Sequence, residues 1–200
     1  MTIRTLFVTR FSETLLDDDA LIAELTDSCR ALARDDKAGR AWSRAHGYPG
    51  YTSYASLNDL PQRDPAFDDL KRALDKHVRA FADAAFLDMG RTKPKLDSLW
   101  VNILKPGGGH SGHVHPHCAI SGTIYIAVPD GSGPLKLEDP RLPMMMAAPL
   151  RRDDAPEDSK TFHYATPKVG TIFLWESWLR HEVVPSSAKS DRISISFNYR

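Results

Sequence analysis

The hydrophobic periodicity of the chain changes near residue 97, and this change constrains the fold more than any other feature. Residues 17–36 and 64–87 repeat apolar side chains at helical spacing, and Asp64 followed by Pro65 is typical of a helix start. Downstream, short β-rich runs alternate with Gly, Pro, Asp and Ser. The pattern predicts an α+β protein, mainly β. Strands are expected over 99–104, 112–118, 123–128, 135–138, 162–165, 171–175, 182–184 and 193–198.

Eight short strands are typical of a sandwich or jelly roll, in which the early helices cover one sheet. A chain of 200 residues is long enough for one domain with one core. We therefore predict a single domain over 1–200, with a helical support region over 1–96 and a jelly-roll core over 97–200. The longest connection, 139–161, is expected to be a lid or a disordered tip.

The charge balance and the cysteine content exclude several classes of protein. The 26 basic and 26 acidic residues cancel, which argues against a nucleic-acid partner. The chain has no apolar run of membrane-spanning length, and its first residues do not look like a signal peptide. Cys29 and Cys118 do not form a disulfide framework. We expect a soluble cytoplasmic protein without a membrane partner, and no pattern indicates its oligomeric state.

Residues 40–60 carry Trp42, Tyr48, Tyr51 and Tyr54 among glycine and proline, which predicts a loop. Aromatic side chains in such a loop either anchor it to the body of the protein or form a wall of a substrate site. We interpret these four residues as anchors.

The segment GHSGHVHPHC, residues 109–118, contains four of the eight histidines. On a strand, alternation would place His113 and His115 on one face, with His117 next on that face. Neutral imidazole is a ligand for zinc, copper, iron and nickel. An H-x-H pair also occurs by chance in polar surface loops. His110, among three glycines, is interpreted as a loop residue.

Further polar residues stand near the end of the chain. His181 follows the β-rich run TIFLW, and in DRISISFNY the residues Arg192 and Ser194 share the polar face of an alternating strand. A guanidinium and a hydroxyl on one face can bind a carboxylate. The alternative for Arg192 is a surface ion pair with Asp191 or Glu182.

The order of H-x-H, PKVGTIFLWESWLRHEVVP and RISISFN resembles the iron(II) and 2-oxoglutarate-dependent oxygenases, in particular a bacterial and phage subgroup. The resemblance covers residues 98–199 and includes WVNI, HVHP, SGTIYIAVP, the DPR of 139–141 and SWLRH in the same order. It implies a double-stranded β-helix, which is a jelly roll. It also implies a dioxygenase that uses Fe(II) and 2-oxoglutarate to hydroxylate a substrate, with release of succinate and carbon dioxide. The substrate is expected to be a small molecule or a peptide.

By this resemblance His113 and His181 are metal ligands, and His115 stands where most of the superfamily has an Asp or a Glu. No carboxylate occurs between residues 97 and 130 to replace it. His115 is therefore either a third imidazole ligand or a residue that supports the other two, and His117 is expected to flank the site.

The resemblance also implies a binding site for the cosubstrate. Arg192 and Ser194 would hold the far carboxylate of 2-oxoglutarate. Tyr125 would add a hydroxyl to the same pocket, and Asn102 would line it.

Two other functions stay open at this point. A cupin is one, because Gly107 followed by five residues and H-x-H matches the opening of the cupin motif. However, Pro167 and Gly170 precede His181 by more residues than the second cupin motif requires. A jelly-roll binding module that has lost its metal is the other, and Cys118 as a soft ligand is a further possibility.

Overall fold

The computed structural model describes residues 1–90 and 93–200. Within them the helices are α1 (Asp19–Asp35), α2 (Lys37–Ala45), α3 (Leu60–Arg63) and α4 (Pro65–Ala84). The strands are β1 (Phe11–Leu15), β2 (Gly50–Thr52), β3 (Leu96–Leu104), β4 (His110–His113), β5 (Ile120–Ala127), β6 (Leu135–Glu138), β7 (Phe162–Ala165), β8 (Thr171–Glu176), β9 (His181–Val183) and β10 (Arg192–Tyr199).

The strands form two antiparallel sheets. The major sheet has the order β1-β8-β5-β10-β3-β2, and the minor sheet has the order β4-β9-β6-β7. Neighbours in each sheet are distant in sequence, as in β10, which pairs with both β3 and β5. This arrangement is the predicted α+β jelly roll, so the sequence-based fold class is confirmed.

The two faces of the major sheet differ in polarity because β10 alternates strictly. Ile193, Ile195 and Phe197 point to one side and are buried in the main apolar core. Ser194 and Ser196 point to the other side, where they line a pocket between the two sheets. Strand β10 therefore has an apolar outer face and a polar inner face, while Phe173 and Trp175 of β8 pack on the inner side in a second, smaller apolar cluster.

Helices α1 and α4 cover the apolar outer face. Asp18 caps α1 by accepting a hydrogen bond from the Leu21 amide at 3.0 Å, and Asp64 caps α4 by accepting one from the Ala66 amide at 2.9 Å. The prediction of a helix that starts after Asp64 is thus confirmed. The apolar stripes of both helices are buried against the sheet; they comprise Leu21, Ile22, Leu25 and Cys29 from α1 and Phe67, Leu70, Leu74, Val78 and Phe81 from α4.

Three local predictions differ from the structure. Strands β1 and β2 come from the half that was predicted to be helical, and they pair with β8 and β3. The predicted strand 112–118 is wrong in its bounds, because β4 spans His110–His113 and the backbone at His117 is left-handed, with φ 66°. The segment 40–60 is not wholly a loop, since the end of α2 and all of β2 lie within it.

No helix in the described parts of the chain is both long enough and apolar enough to span a membrane.

Asp36 connects α2 to the loop that follows β2. Its carboxylate caps α2 by accepting a hydrogen bond from the Gly39 amide at 2.9 Å, and it also accepts from the hydroxyls of Tyr51 (2.9 Å) and Ser56 (2.6 Å). Tyr51 is therefore an anchor of its segment, as predicted. Its hydroxyl is satisfied by a carboxylate on a different element.

We expect Asp36→Ala to lower the free energy of unfolding by about 1–3 kcal/mol, because it removes a helix cap, the acceptor of the Tyr51 hydroxyl and one of the two acceptors of the Ser56 hydroxyl. Urea denaturation followed by circular dichroism measures this change. Asp35→Ala is the matched control, since Asp35 contacts only the exposed Arg34 in this segment; its effect should stay within about 0.5 kcal/mol. Equal losses in the two variants would contradict the prediction.

Candidate metal centre

Three histidines converge at one end of the pocket between the sheets. His113, the last residue of β4, lies directly opposite His181, the first residue of β9, in the antiparallel ladder. His115 follows two residues after β4 ends. One ring nitrogen from each of the three lies within 4.8 Å of the others, and among the described residues no other cluster of His, Cys, Asp and Glu meets this criterion.

Hydrogen bonds to Nδ1 leave Nε2 of each ring free. The Nδ1 of His113 is 2.8 Å from the carbonyl oxygen of Ser111, and the Nδ1 of His181 is 2.9 Å from that of Leu179. A carbonyl oxygen only accepts, so each Nδ1 carries the proton. The Nδ1 of His115 is 2.6 Å from the amide oxygen of Asn198, which assigns the same tautomer. All three Nε2 atoms therefore present a lone pair, which is the form that binds a metal.

Burial keeps the three imidazoles neutral. It lowers the pKa of His181 to about 3, with a further contribution from the neighbouring His113. Burial also lowers the pKa of His113 and that of His115 below the ordinary value for histidine. The cluster is thus in the ligand form near neutral pH.

Arg192 and Ser194 line the same narrow pocket as the three histidines. The Arg192 side chain is buried, and one of its terminal nitrogens donates to the carbonyl oxygen of Gly133 at 3.2 Å. Its guanidinium lies over the ring of Tyr125, 5.4 Å from the ring centroid. Arg192 forms no ion pair with Asp191 or Glu182, so the surface-pair alternative for it is wrong.

Two buried side-chain nitrogens in the described residues have no hydrogen-bond partner, and both belong to residues that line this pocket. They are Nε of Arg192 and Nε1 of Trp175, whose ring is 4.6 Å from that of His181. Buried polar groups are normally paired, so these two nitrogens indicate a polar ligand. A guanidinium matches a carboxylate, and three neutral imidazoles match a divalent metal. The residues present therefore fit a metal ion with a carboxylate ligand beside it.

Asn102 lines the pocket, but its amide is engaged by the protein. Its Oδ1 accepts hydrogen bonds from Tyr48 at 3.1 Å and Thr52 at 2.9 Å, and its Nδ2 donates to Ser196 at 3.1 Å. Burial raises the pKa of Tyr125 to about 12. The Tyr125 ring packs against the guanidinium of Arg192. The sequence-based roles of Asn102 and Tyr125 in cosubstrate binding stay predictions.

The remaining residues of the histidine-rich segment lie in different places. His117 is exposed and is not part of the cluster of three. His110 is not a loop residue, because it begins β4 and its ring centroid is 4.3 Å from that of His113. The thiol of Cys118 contacts Asp97 at 3.7 Å and is not in the cluster.

Three aromatic residues that line the pocket were not predicted to do so: Tyr48, Trp100 and Trp175. The Trp100 ring is 5.8 Å from that of His115, and the Tyr48 ring is 5.9 Å from that of His110. Tyr48 was interpreted only as an anchor. Side chains alternate between the two faces of β3 and β8, and this alternation could have placed the two tryptophans on the inner face.

The segment 139–161 contains two short 3-10 turns, Leu142–Met144 and Glu157–Ser159, and is largely exposed. Its base is closed by a hydrogen bond from the Asp139 amide to the Thr161 carbonyl at 2.8 Å. Parts of it and residues 3–9 line a separate cavity of about 710 Å³. Its role as a lid stays a prediction.

Comparison with known proteins identifies the class. Residues 98–198 match the family described as "Putative 2OG-Fe(II) oxygenase", and the chain belongs to this family. It is therefore an oxidoreductase that depends on iron(II) and 2-oxoglutarate, and the cupin alternative is not supported. No curated protein matches the sequence.

Solved structures share the fold at low sequence identity. A prolyl-4-hydroxylase from Pseudomonas putida is 18% identical with a TM-score of 0.62, and the match covers 96% of this chain and 93% of that one. HygX from Streptomyces hygroscopicus, solved with nickel and 2-oxoglutarate, is 15% identical with a TM-score of 0.59, over 96% and 82% of the chains. The viral collagen prolyl hydroxylase from Paramecium Bursaria Chlorella virus-1 is 12% identical with a TM-score of 0.57, over 95% of both chains.

We expect Asn102→Ala to lower the free energy of unfolding by about 2 kcal/mol, because the buried hydroxyls of Tyr48 and Thr52 lose their shared acceptor. Urea denaturation tests this. Asn58→Ala, at an exposed position, serves as the matched control and should change stability by less than about 0.5 kcal/mol. An Asn102→Ala protein as stable as the control would show that the Asn102 amide does not contribute to stability.

Proposed function

We propose that His113, His115 and His181 hold iron(II) through their Nε2 atoms, and that Arg192 with Ser194 binds the far carboxylate of 2-oxoglutarate. One observation carries the proposal: three neutral imidazoles with free Nε2 atoms, of which His181 is buried and the other two are partly buried, line the same pocket as a buried arginine whose Nε has no partner. A binding module without a metal has no use for this combination.

When bound, iron(II) and 2-oxoglutarate supply the oxygen activation that hydroxylates a substrate C–H bond, with succinate and carbon dioxide as coproducts. The protein contributes ligands that need no deprotonation, since its imidazoles are already neutral. Arg192 contributes a fixed positive charge at a buried position, where its attraction for a carboxylate is stronger than at the surface. Ser194, buried beside it on β10, offers a hydroxyl to the same carboxylate.

The use of His115 instead of a carboxylate changes the charge of the centre. Three neutral imidazoles leave the full positive charge on the metal, whereas a carboxylate ligand would cancel part of it. Binding of a dianionic keto acid would neutralise this positive charge on the metal. The proposed centre therefore suits the cosubstrate of the family even without an acidic protein ligand.

We further propose that the substrate is a small molecule or a peptide that approaches past Trp100 and Tyr54. Tyr54 is 60% exposed, and its ring centroid is 5.3 Å from that of Trp100, which in turn lies beside His115. Exposed aromatic side chains next to a reaction centre are suited to bind apolar groups. In this proposal 139–161 acts as a lid.

We propose that residues 1–200 form one domain and that the protein is cytoplasmic. Strands β1 and β2 support the single domain, because they extend the sheet that carries Arg192 and Ser194. The two cysteines are free, which agrees with a reducing compartment. The balanced charge argues against a nucleic-acid partner.

We expect His113→Ala and His181→Ala each to weaken metal binding by at least about 100-fold, because each removes one of three ligands. Anaerobic titration of the metal-free protein with iron(II), followed by 2-oxoglutarate, should give a weak visible charge-transfer band in the wild type and none in the variants. His46→Ala, which removes an exposed histidine on α2's C-terminal side, is the control and should behave as the wild type. Succinate formation that survives both ligand substitutions would refute the metal assignment. A wild-type protein that takes up no metal would support the binding module instead.

We expect Arg192→Gln to retain metal binding but to raise the Kd for 2-oxoglutarate by about 10- to 100-fold, because a charged hydrogen bond contributes about 1.5–3 kcal/mol. The readout is the charge-transfer band titrated with 2-oxoglutarate at saturating iron(II). Ser194→Ala removes a single neutral hydrogen bond and should raise the Kd by less than about 10-fold. An unchanged Kd in a folded Arg192→Gln protein would remove Arg192 from the cosubstrate site.

A further inference from the structure

We propose that Asn198 is the positioning residue that makes His115 a metal ligand, an inference that rests on the proposed function and explains how an imidazole replaces the usual carboxylate. The amide oxygen of Asn198 accepts the hydrogen bond from Nδ1 of His115 at 2.6 Å. This contact fixes both the tautomer and the rotation of the ring, so that Nε2 faces the other two histidines.

His115 differs from the other two ligands in how it is held. His113 and His181 lie on paired strands, and the Nδ1 of each contacts a backbone carbonyl two residues earlier in its own strand region. The backbone of their own segments therefore sets the position and tautomer of these two rings. His115 lies beyond the end of β4, where no strand pairing fixes its side chain. Its placement depends on contacts with distant parts of the chain.

The distant contacts form a closed, buried network. The backbone amide of His115 donates to the carbonyl oxygen of Ser177 at 3.0 Å. The hydroxyl of Ser177 is 2.7 Å from that of Ser121, and Ser121 in turn donates to the Asn198 amide oxygen at 2.7 Å. The backbone amide of His115 and its imidazole are thus held by the same hydrogen-bond network.

The nitrogen of the Asn198 amide contacts a different part of the chain. Its Nδ2 donates to the hydroxyl of Ser98 at 3.0 Å, on the neighbouring strand β3. The oxygen is then left for Ser121 and His115, and it is an acceptor only. An aspartate in this position would keep both acceptor contacts, whereas an alanine would remove them.

The position of Asn198 follows from the alternation of β10. Arg192, Ser194, Ser196 and Asn198 all lie on the polar inner face, so the strand that carries the proposed carboxylate site also carries the support for His115. Positioning groups of this kind change metal affinity by about 10- to 100-fold when they are removed.

We test the proposal with nickel(II) as the probe, because it binds imidazole and does not turn over. Asn198→Ala should weaken nickel binding to the metal-free protein by about 10- to 100-fold, measured by calorimetry, while circular dichroism confirms the fold. Asn198→Asp should restore the affinity to within about 3-fold of the wild type, because it keeps an acceptor for Nδ1–H. Ser98→Ala is the matched control, since it breaks a hydrogen bond of the same amide without touching His115, and it should also stay within about 3-fold.

A second measurement does not depend on metal. In the metal-free protein, ¹⁵N NMR of the imidazole should show His115 with its proton on Nδ1, and Asn198→Ala should shift His115 toward the tautomer with the proton on Nε2. A role of Asn198 in stability alone would leave the tautomer unchanged. The proposal is overturned if the tautomer and the affinity are unchanged in Asn198→Ala, or if Ser98→Ala weakens binding equally.

The outcomes separate this inference from the proposed function. If His113→Ala abolishes nickel binding and Asn198→Ala does not alter it, the metal centre stands and the role of Asn198 is wrong. If His113→Ala leaves nickel binding intact, the metal centre itself is wrong and the inference is overturned with it.

Discussion

The strict alternation of β10 is the constraint on which the rest of the structure depends. Its isoleucines and Phe197 are buried against α1 and α4, and this apolar packing fixes which side of the strand faces inward. The inward side then carries a guanidinium and two hydroxyls into the pocket between the sheets, and an amide that contacts His115. A shift of one residue in register would turn the apolar set of β10 toward the pocket and remove its polar side chains from it.

The three histidines are brought together by two different physical means. Strand pairing sets His113 and His181 opposite each other, so their proximity is a property of the backbone ladder. His115 is placed by side-chain hydrogen bonds in a buried network, which also includes Ser121 and Asn198. Backbone ladders tolerate many side-chain changes, whereas buried networks depend on each member. Of the three imidazoles, that of His115 is therefore the one most sensitive to its neighbours.

The sequence predicts those parts of the molecule that follow from local periodicity. The helix after Asp64 and the shared face of Arg192 and Ser194 follow from spacing along one element, whereas the jelly roll was predicted from the succession of eight short strands and from the family resemblance. The same argument placed His115 on a strand that in fact ends at His113. Strands β1 and β2 lie among the helices of the first half, and their pairing with β8 and β3 is a contact between distant segments that local periodicity does not reveal. The network around His115 joins separate elements, which spacing within one element does not reveal.

The long sequence separation of the site residues links the centre to the folding of the chain. His115 and Asn198 are 83 positions apart, and Arg192 and the Gly133 carbonyl that it contacts are 59 apart. Contacts between such distant residues form only after long loops have closed, which is the slow part of folding for β-rich topologies. Before that closure the chain holds only neighbouring histidines and no assembled pocket. A ligand of the complete centre binds the native state alone, so its binding energy adds directly to the stability of the whole jelly roll.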